Sequence, residues 1–193
     1  MPTTYAIPNG RTVMDATLWT ENDSATQTIS NLQFQPDFVW GKNRTDAYYH
    51  NLFDSVRGAG GNKELGSQST GAEGYAATSA YDYLSSFDAD GFTSTYSGSN
   101  FAAYFNNNTN NYVAWNWKAA SSNTTNSSGS VTAINRVNST AGFSTSVFTT
   151  PTSGTYTVGH SLSSTPNLVI FKSAIQIMIS AFYRISYFVH KSF

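Results

Sequence analysis

The chain has no cysteine among its 193 residues. A small fold stapled by disulfides is excluded, and with it thiolate metal sites and a cysteine nucleophile. Charge is scarce as well. Asp, Glu, Lys and Arg make up 11% of the chain and leave a formal net charge of −1, so there is no polybasic surface of the kind that holds nucleic acid. A membrane-crossing helix needs about twenty mainly apolar residues. The most apolar stretch, near the end of the chain, is shorter and holds Arg184, which argues against a span. Met1–Tyr5 lacks a basic region followed by an apolar run, so no signal peptide is expected.

What the chain does have is aromatics, at 15%. Disordered chains are poor in them, so the low charge does not signal disorder. Aromatics and β-branched residues, interleaved with Ser, Thr, Asn and Gly, suit twisted antiparallel sheets joined by turns.

The chain also repeats itself. Thr17–Arg44 and Ser146–Ala174 follow one plan at an offset of about 129 to 130 positions. Trp19-Thr20 is echoed by Phe148-Thr149, Thr26-x-Thr28-Ile29 by Thr155-x-Thr157-Val158, and Pro36-Asp37-Phe38-Val39 by Pro166-Asn167-Leu168-Val169. An internal repeat governs how the rest is read: one full β unit is followed by the opening of a second.

Strands are expected at 13–20, 26–29, 38–42 and 48–55, where alternation separates Tyr49, Asn51 and Phe53 from His50, Leu52 and Asp54. Arg57–Ser69, rich in Gly and charge, reads as an exposed loop, and Ser86–Thr93 as two strands around an Asp-Gly turn. Tyr112–Lys118 forms the second arm of a hairpin, with Val113, Trp115 and Trp117 expected on its core face. These features define an all-β protein. A β-sandwich of concanavalin or jelly-roll type occupies residues 1–118, and a Ser/Asn/Thr-rich flexible linker residues 119–130. A smaller, partial second β domain follows at 131–193, for which an immunoglobulin-like sandwich is the alternative.

No reaction is announced. The histidines at 50, 160 and 190 show neither HxH nor HExxH spacing. Asp88-x-Asp90-Gly91 begins like a calcium loop but lacks its closing acidic ligand, and a hairpin turn explains it. There is no GxSxG, no GK[ST] ending after the glycines at 58, 60 and 61, and no paired-carboxylate strand pattern. Asp54 and Glu73 are left as a pair that only the fold could bring together. No catalytic, cofactor or metal residues are therefore assigned. Aromatic rings beside amide-rich turns can dock sugars, because sugar CH groups pack on ring faces. Tyr81, Tyr83, Tyr104 and Asn107 are the glycan-contact candidates, while Trp40, Trp115 and Trp117 are expected in the core.

The runs QPDFVWGKNR, NLFDSVRG, DADGFT and YVAWNWKA, in that order, resemble an uncharacterised domain of marine and cyanobacterial bacteriophage structural proteins, found in tail-fibre and other virion-associated chains. The second unit resembles the same family's following copy. The resemblance covers roughly Val13–Lys172. It implies a virion location, a non-enzymatic structural role on tail or capsid surface, and other virion proteins as partners. The alternative is a carbohydrate-binding module for host-surface polysaccharide. After Lys172 such chains continue through a complete second copy. Ala174–Phe193 departs from it outside Phe188–Ser192, as a truncated or frame-altered end would. The tail alternates like a strand with one apolar face, so Ile175, Ile177, Ile179, Tyr183, Ile185 and Tyr187 are expected to pair with another chain in a homo-oligomer, a trimer if the protein belongs to a fibre.

Overall fold

The computed structural model describes residues 6–22, 24–74, 82–96, 105, 109–175 and, as backbone, 184–190. Among these the protein is all-β, with a single 3-10 turn at Gly10–Thr12. In chain order the strands are β1 (Met14–Thr20), β2 (Thr26–Ile29), β3 (Phe38–Asn43), β4 (His50–Asp54), β5 (Leu65–Gly66), β6 (Tyr83–Asp88), β7 (Gly91–Thr95) and β8 (Asn111–Trp117), followed by β9 (Thr124–Asn126), β10 (Ala133–Asn138), β11 (Phe143–Thr149), β12 (Leu168–Ser173) and β13 (Arg184–His190).

Two antiparallel sheets build the first unit. One has the order β1-β8-β3-β4-β5 and the other β2-β7-β6. Their inner faces close over Trp19, Ile29, Val39, Phe53, Leu84, Phe92, Phe105, Tyr112 and Ala114. Trp19 is the pivot: it stacks on Tyr112 at 5.2 Å and meets Phe92 and Phe105 edge-on at 5.5 and 5.6 Å. Edge-on and offset ring pairs of this kind add to plain burial. Gly41 makes room for this cluster, since a Cβ there would run into the Phe105 ring. Asp88 accepts hydrogen bonds from Ser86 Oγ at 2.8 Å and Thr93 Oγ1 at 2.7 Å, and so ties both arms of its own hairpin.

The second unit is, among the described residues, one five-stranded sheet of order β12-β13-β11-β10-β9 rather than a two-sheet sandwich. The repeat is visible in its pairing. β11 and β12 stand where β1 and β3 stand, and β13 takes the place of β8 between them. Even the register agrees, because Met14 and Phe38 oppose Trp117 while Phe143 and Leu168 oppose His190.

Four sequence expectations are corrected. First, the tail does not offer a free strand. β13, which includes Ile185 and Tyr187, is paired along its length with β11 on one side and β12 on the other, so its backbone groups are already matched within the chain. Ile175 lies beyond β12 and is exposed, whereas Ile177, Ile179 and Tyr183 lie outside the described residues.

Second, the stretch at 119–130 is no loose tether. Ala119 is buried, β9 pairs with β10, and Asn126 Nδ2 donates to Ser161 Oγ at 2.6 Å. A polar segment can be ordered by hydrogen bonds to its neighbours without burying apolar area. Third, Arg57–Ser69 is not simply exposed. The Arg57 side chain is 4% exposed, held by Asp54 and by Glu73 at 3.2 Å, and Leu65 is fully buried opposite Leu52.

Fourth, the core face of β8 is Tyr112, Ala114 and Asn116, not Val113, Trp115 and Trp117. Both faces of this strand carry apolar side chains, so period-two alternation could not choose between them. Packing under Trp19 does.

Candidate functional site

The outer face of the first sheet is where functional side chains gather. Its register sets out three rows across adjacent strands. Met14, Trp117, Phe38 and Asp54 form the first, Ala16, Trp115, Trp40 and Leu52 the second, and Leu18, Val113, Lys42 and His50 the third. These residues share a face because side chains of opposed residues in an antiparallel ladder point the same way.

The second unit packs on Phe38 and Trp117 of the first row. Phe143 lies parallel to Trp117 at 6.1 Å and to Phe38 at 6.3 Å, and a second apolar cluster forms from Phe38, Leu52, Leu65, Ala119, Phe143 and Ala174. Asp37, 3% exposed, fastens this junction. Its Oδ1 accepts from Ser55 Oγ at 2.6 Å and from the Arg136 guanidinium at 2.8 Å, and its Oδ2 accepts from the Ala119 N–H at 2.7 Å. Across the same seam Lys172 Nζ donates to the carbonyls of Ser69 at 2.6 Å and Gly71 at 3.1 Å, and burial lowers its pKa.

In the other two rows Leu52 is buried in the second apolar cluster and Trp40 packs against it, while Trp115, Lys42 and His50 border open space. A cleft of about 430 Å³ is lined by Trp40, Lys42, His50, Trp115 and Trp117. Trp40 and Trp115 face each other across β3 and β8, edge to face at 6.1 Å. Trp40 also lines a smaller cavity of about 160 Å³, whose far wall is Ile170, Phe171 and Lys172 of the second unit. The indole Nε1 of Trp40 is buried and has no acceptor among the described residues. Lys42 Nζ donates to the Asn43 carbonyl at 2.9 Å. His50, directly opposite on β4, has a pKa lowered first by burial and then by the Lys42 charge.

Rigid strands carry every one of these groups, so the cleft is preformed. Flat aromatic walls and two nitrogen-bearing side chains can dock a ring and bond its polar substituents.

The carboxylates belong elsewhere. Asp54 and Glu73 do meet, through Arg57, but as ion-pair partners that pin the loop at 57–74. Glu21 is raised to about 7 by burial, opposed by its hydrogen bond from Trp19 Nε1, and Glu64 is raised to about 7 by burial. Of the glycan candidates, Tyr83 opens β6 and packs half-buried against the inner core, away from the cleft, while Tyr81, Tyr104 and Asn107 lie outside the described residues. Lys42 and His50 were not foreseen as site residues. The available signal was that Lys42 shares its face with Trp40, two positions away.

Fold and cleft together define a β-sandwich with an aromatic sheet-face pocket. Residues 11–188 match a family described as a domain of unknown function, DUF7483, and the chain belongs to that family. The matched stretch runs through both β units. No curated protein and no solved structure matches the chain.

Proposed function

We propose that this chain is a non-enzymatic structural protein of a phage particle surface, and that its first unit binds host polysaccharide through the Trp40–Trp115 cleft. The observation that carries the binding half is the indole pair of Trp40 and Trp115 lining an open cleft on a rigid sheet, with Lys42 and His50 beside it. A sugar ring would cover the indole faces, and its polar substituents would meet Lys42 and His50. The virion half rests on the sequence resemblance. It fits a cleft whose lining holds no carboxylate, with Asp54 and Glu73 engaged by Arg57 and Glu21 by Trp19.

The test is calorimetric titration of the full chain with oligosaccharides cut from host-surface polysaccharide. Binding is expected, with Trp115→Ala removing it while leaving the melting temperature within a few degrees. No binding to any of them, or binding untouched by Trp115→Ala, would overturn the glycan reading. Mass spectrometry of purified particles tests the location, with absence from the particle as the contrary result.

Assembly with other virion proteins or with further copies is a second part of the proposal. It is carried by β12, the edge strand of its sheet, on which Leu168 is 51% and Phe171 52% exposed. Exposed apolar edges invite strand addition. A Phe171→Lys chain should lose any self-association seen by light scattering. A parent chain that stays monomeric would remove the homo-oligomer.

A further inference from the structure

The cleft has a sign. Five residues line it, two of them Lys42 and His50, and none is a carboxylate. The two nitrogen-bearing side chains are direct cross-strand partners at one end of the indole pair. Among the described residues Lys42 has no carboxylate partner, and its one hydrogen bond goes to the neutral carbonyl of Asn43. An ammonium has three donors, so two remain for a ligand. The repeat supplies a control. Lys172, the equivalent residue of the second unit, is turned to another use, closing the seam through Ser69 and Gly71. Lys42 occupies the same place in its own strand but has no such seam to close.

The acid on the same outer face does not cancel this charge: Asp54 is fully buried and paired with Arg57. An ammonium held half-buried beside apolar rings attracts an anion more strongly than one in open water, because the local dielectric is low. A charged acceptor also makes the stronger hydrogen bond.

We propose that the cleft selects an anionic sugar, one bearing a carboxylate or sulfate, with the ring on Trp40 and Trp115 and the anionic group on Lys42. This rests on the glycan reading above and narrows it. The ligand's charge would complement the Lys42 ammonium, which has no carboxylate partner among the described residues, while a neutral sugar would leave it facing an apolar wall.

The test titrates the full chain with three oligosaccharides of equal length, a polyuronate, a sulfated glycan and a neutral glucan, followed by tryptophan fluorescence. At least one anionic probe is expected to bind about tenfold or more tightly than the neutral one, with the preference shrinking as salt is raised. Comparison of the polyuronate with the sulfated probe then identifies the anionic group. Lys42→Met should collapse the anionic-to-neutral ratio toward one, and Lys42→Arg should keep it. Circular dichroism melts of both variants exclude misfolding as the cause. Neutral binding equal to or tighter than both anionic probes, or a ratio unchanged in Lys42→Met, would overturn the anionic preference and leave glycan binding standing. Failure of all three probes and of host-derived oligosaccharides would remove both.

Discussion

The two units start from the same strand and finish it differently. Phe38-Val39-x-Gly41 and Leu168-Val169-x-Phe171 occupy equivalent places beside β8 and β13. Val39 is fully buried, because β2, β7 and β6 form a second sheet over it. Val169 is 39% exposed. Gly41 gives way to the Phe105 ring, whereas Phe171 stands 52% exposed. Asp37 is buried among Ser55, Ala119 and Arg136, while Asn167 is exposed.

A repeated sequence therefore fixes strand order and register, but the environment depends on what the intervening chain supplies. In the first unit that chain supplies a covering sheet. In the second, the outer face of the repeat leans on the first unit's own outer face through Phe143. Charge follows the same division. All 11 Asp and Glu residues lie at or before Asp90, so the second unit reaches the seam with cations alone, Arg136 and Lys172.

The comparison is broken most directly at Asp37. Asp37→Ala strands the Arg136 charge and two further donors at a buried seam and should cost about 3–5 kcal/mol. Asn167→Ala, at the equivalent exposed place, should stay within about 0.5 kcal/mol. Equal losses in denaturant melts would mean that the seam is not where stability resides. Phe38→Ala should cost about 3–5 kcal/mol by emptying the space between Trp117 and Phe143. Leu168→Ala, half exposed, should cost less than about 1 kcal/mol. A Leu168 loss as large as that of Phe38 would show that β12 is covered in solution.

Acid–base behaviour should divide the same way. Glu64 has a folded pKa near 7 against 4.5 for the free side chain, so the folded state holds its proton more tightly. Its contribution is most favourable below pH 4.5 and is lost as pH rises through 7. Glu64→Gln should flatten that fall and raise the melting temperature at pH 8. An unchanged pH profile would mean that the carboxyl reaches water. The smallest effect concerns the segment between the units. Limited proteolysis should spare 119–130, where β9 is paired, and release of a folded fragment of about 120 residues would restore a loose tether.

Much of this was legible in the residues. The all-β class, the strands β1 to β4 and the Asp-Gly hairpin followed from alternation and turn chemistry. The repeat placed β11 and β12. The binding face was not legible, for a physical reason. In β8 the sets Tyr112/Ala114 and Val113/Trp115/Trp117 are both apolar, and which one is core depends on Trp19, 93 positions before Tyr112. Nor could composition show that the Ser/Asn-rich stretch is held by Asp37 and Ser161, since its hydrogen bonds are to residues distant in sequence.

The central claim is that ligand meets the outer face of the first sheet and not its core side. Hydroxyl-radical footprinting of the full chain, with and without a bound polysaccharide, reads this residue by residue. Protection is predicted at Trp115 and Trp40, with Trp19 silent in both states because it is buried and Tyr83 unchanged. Protection at Tyr83 with Trp115 still fully oxidised would contradict the account.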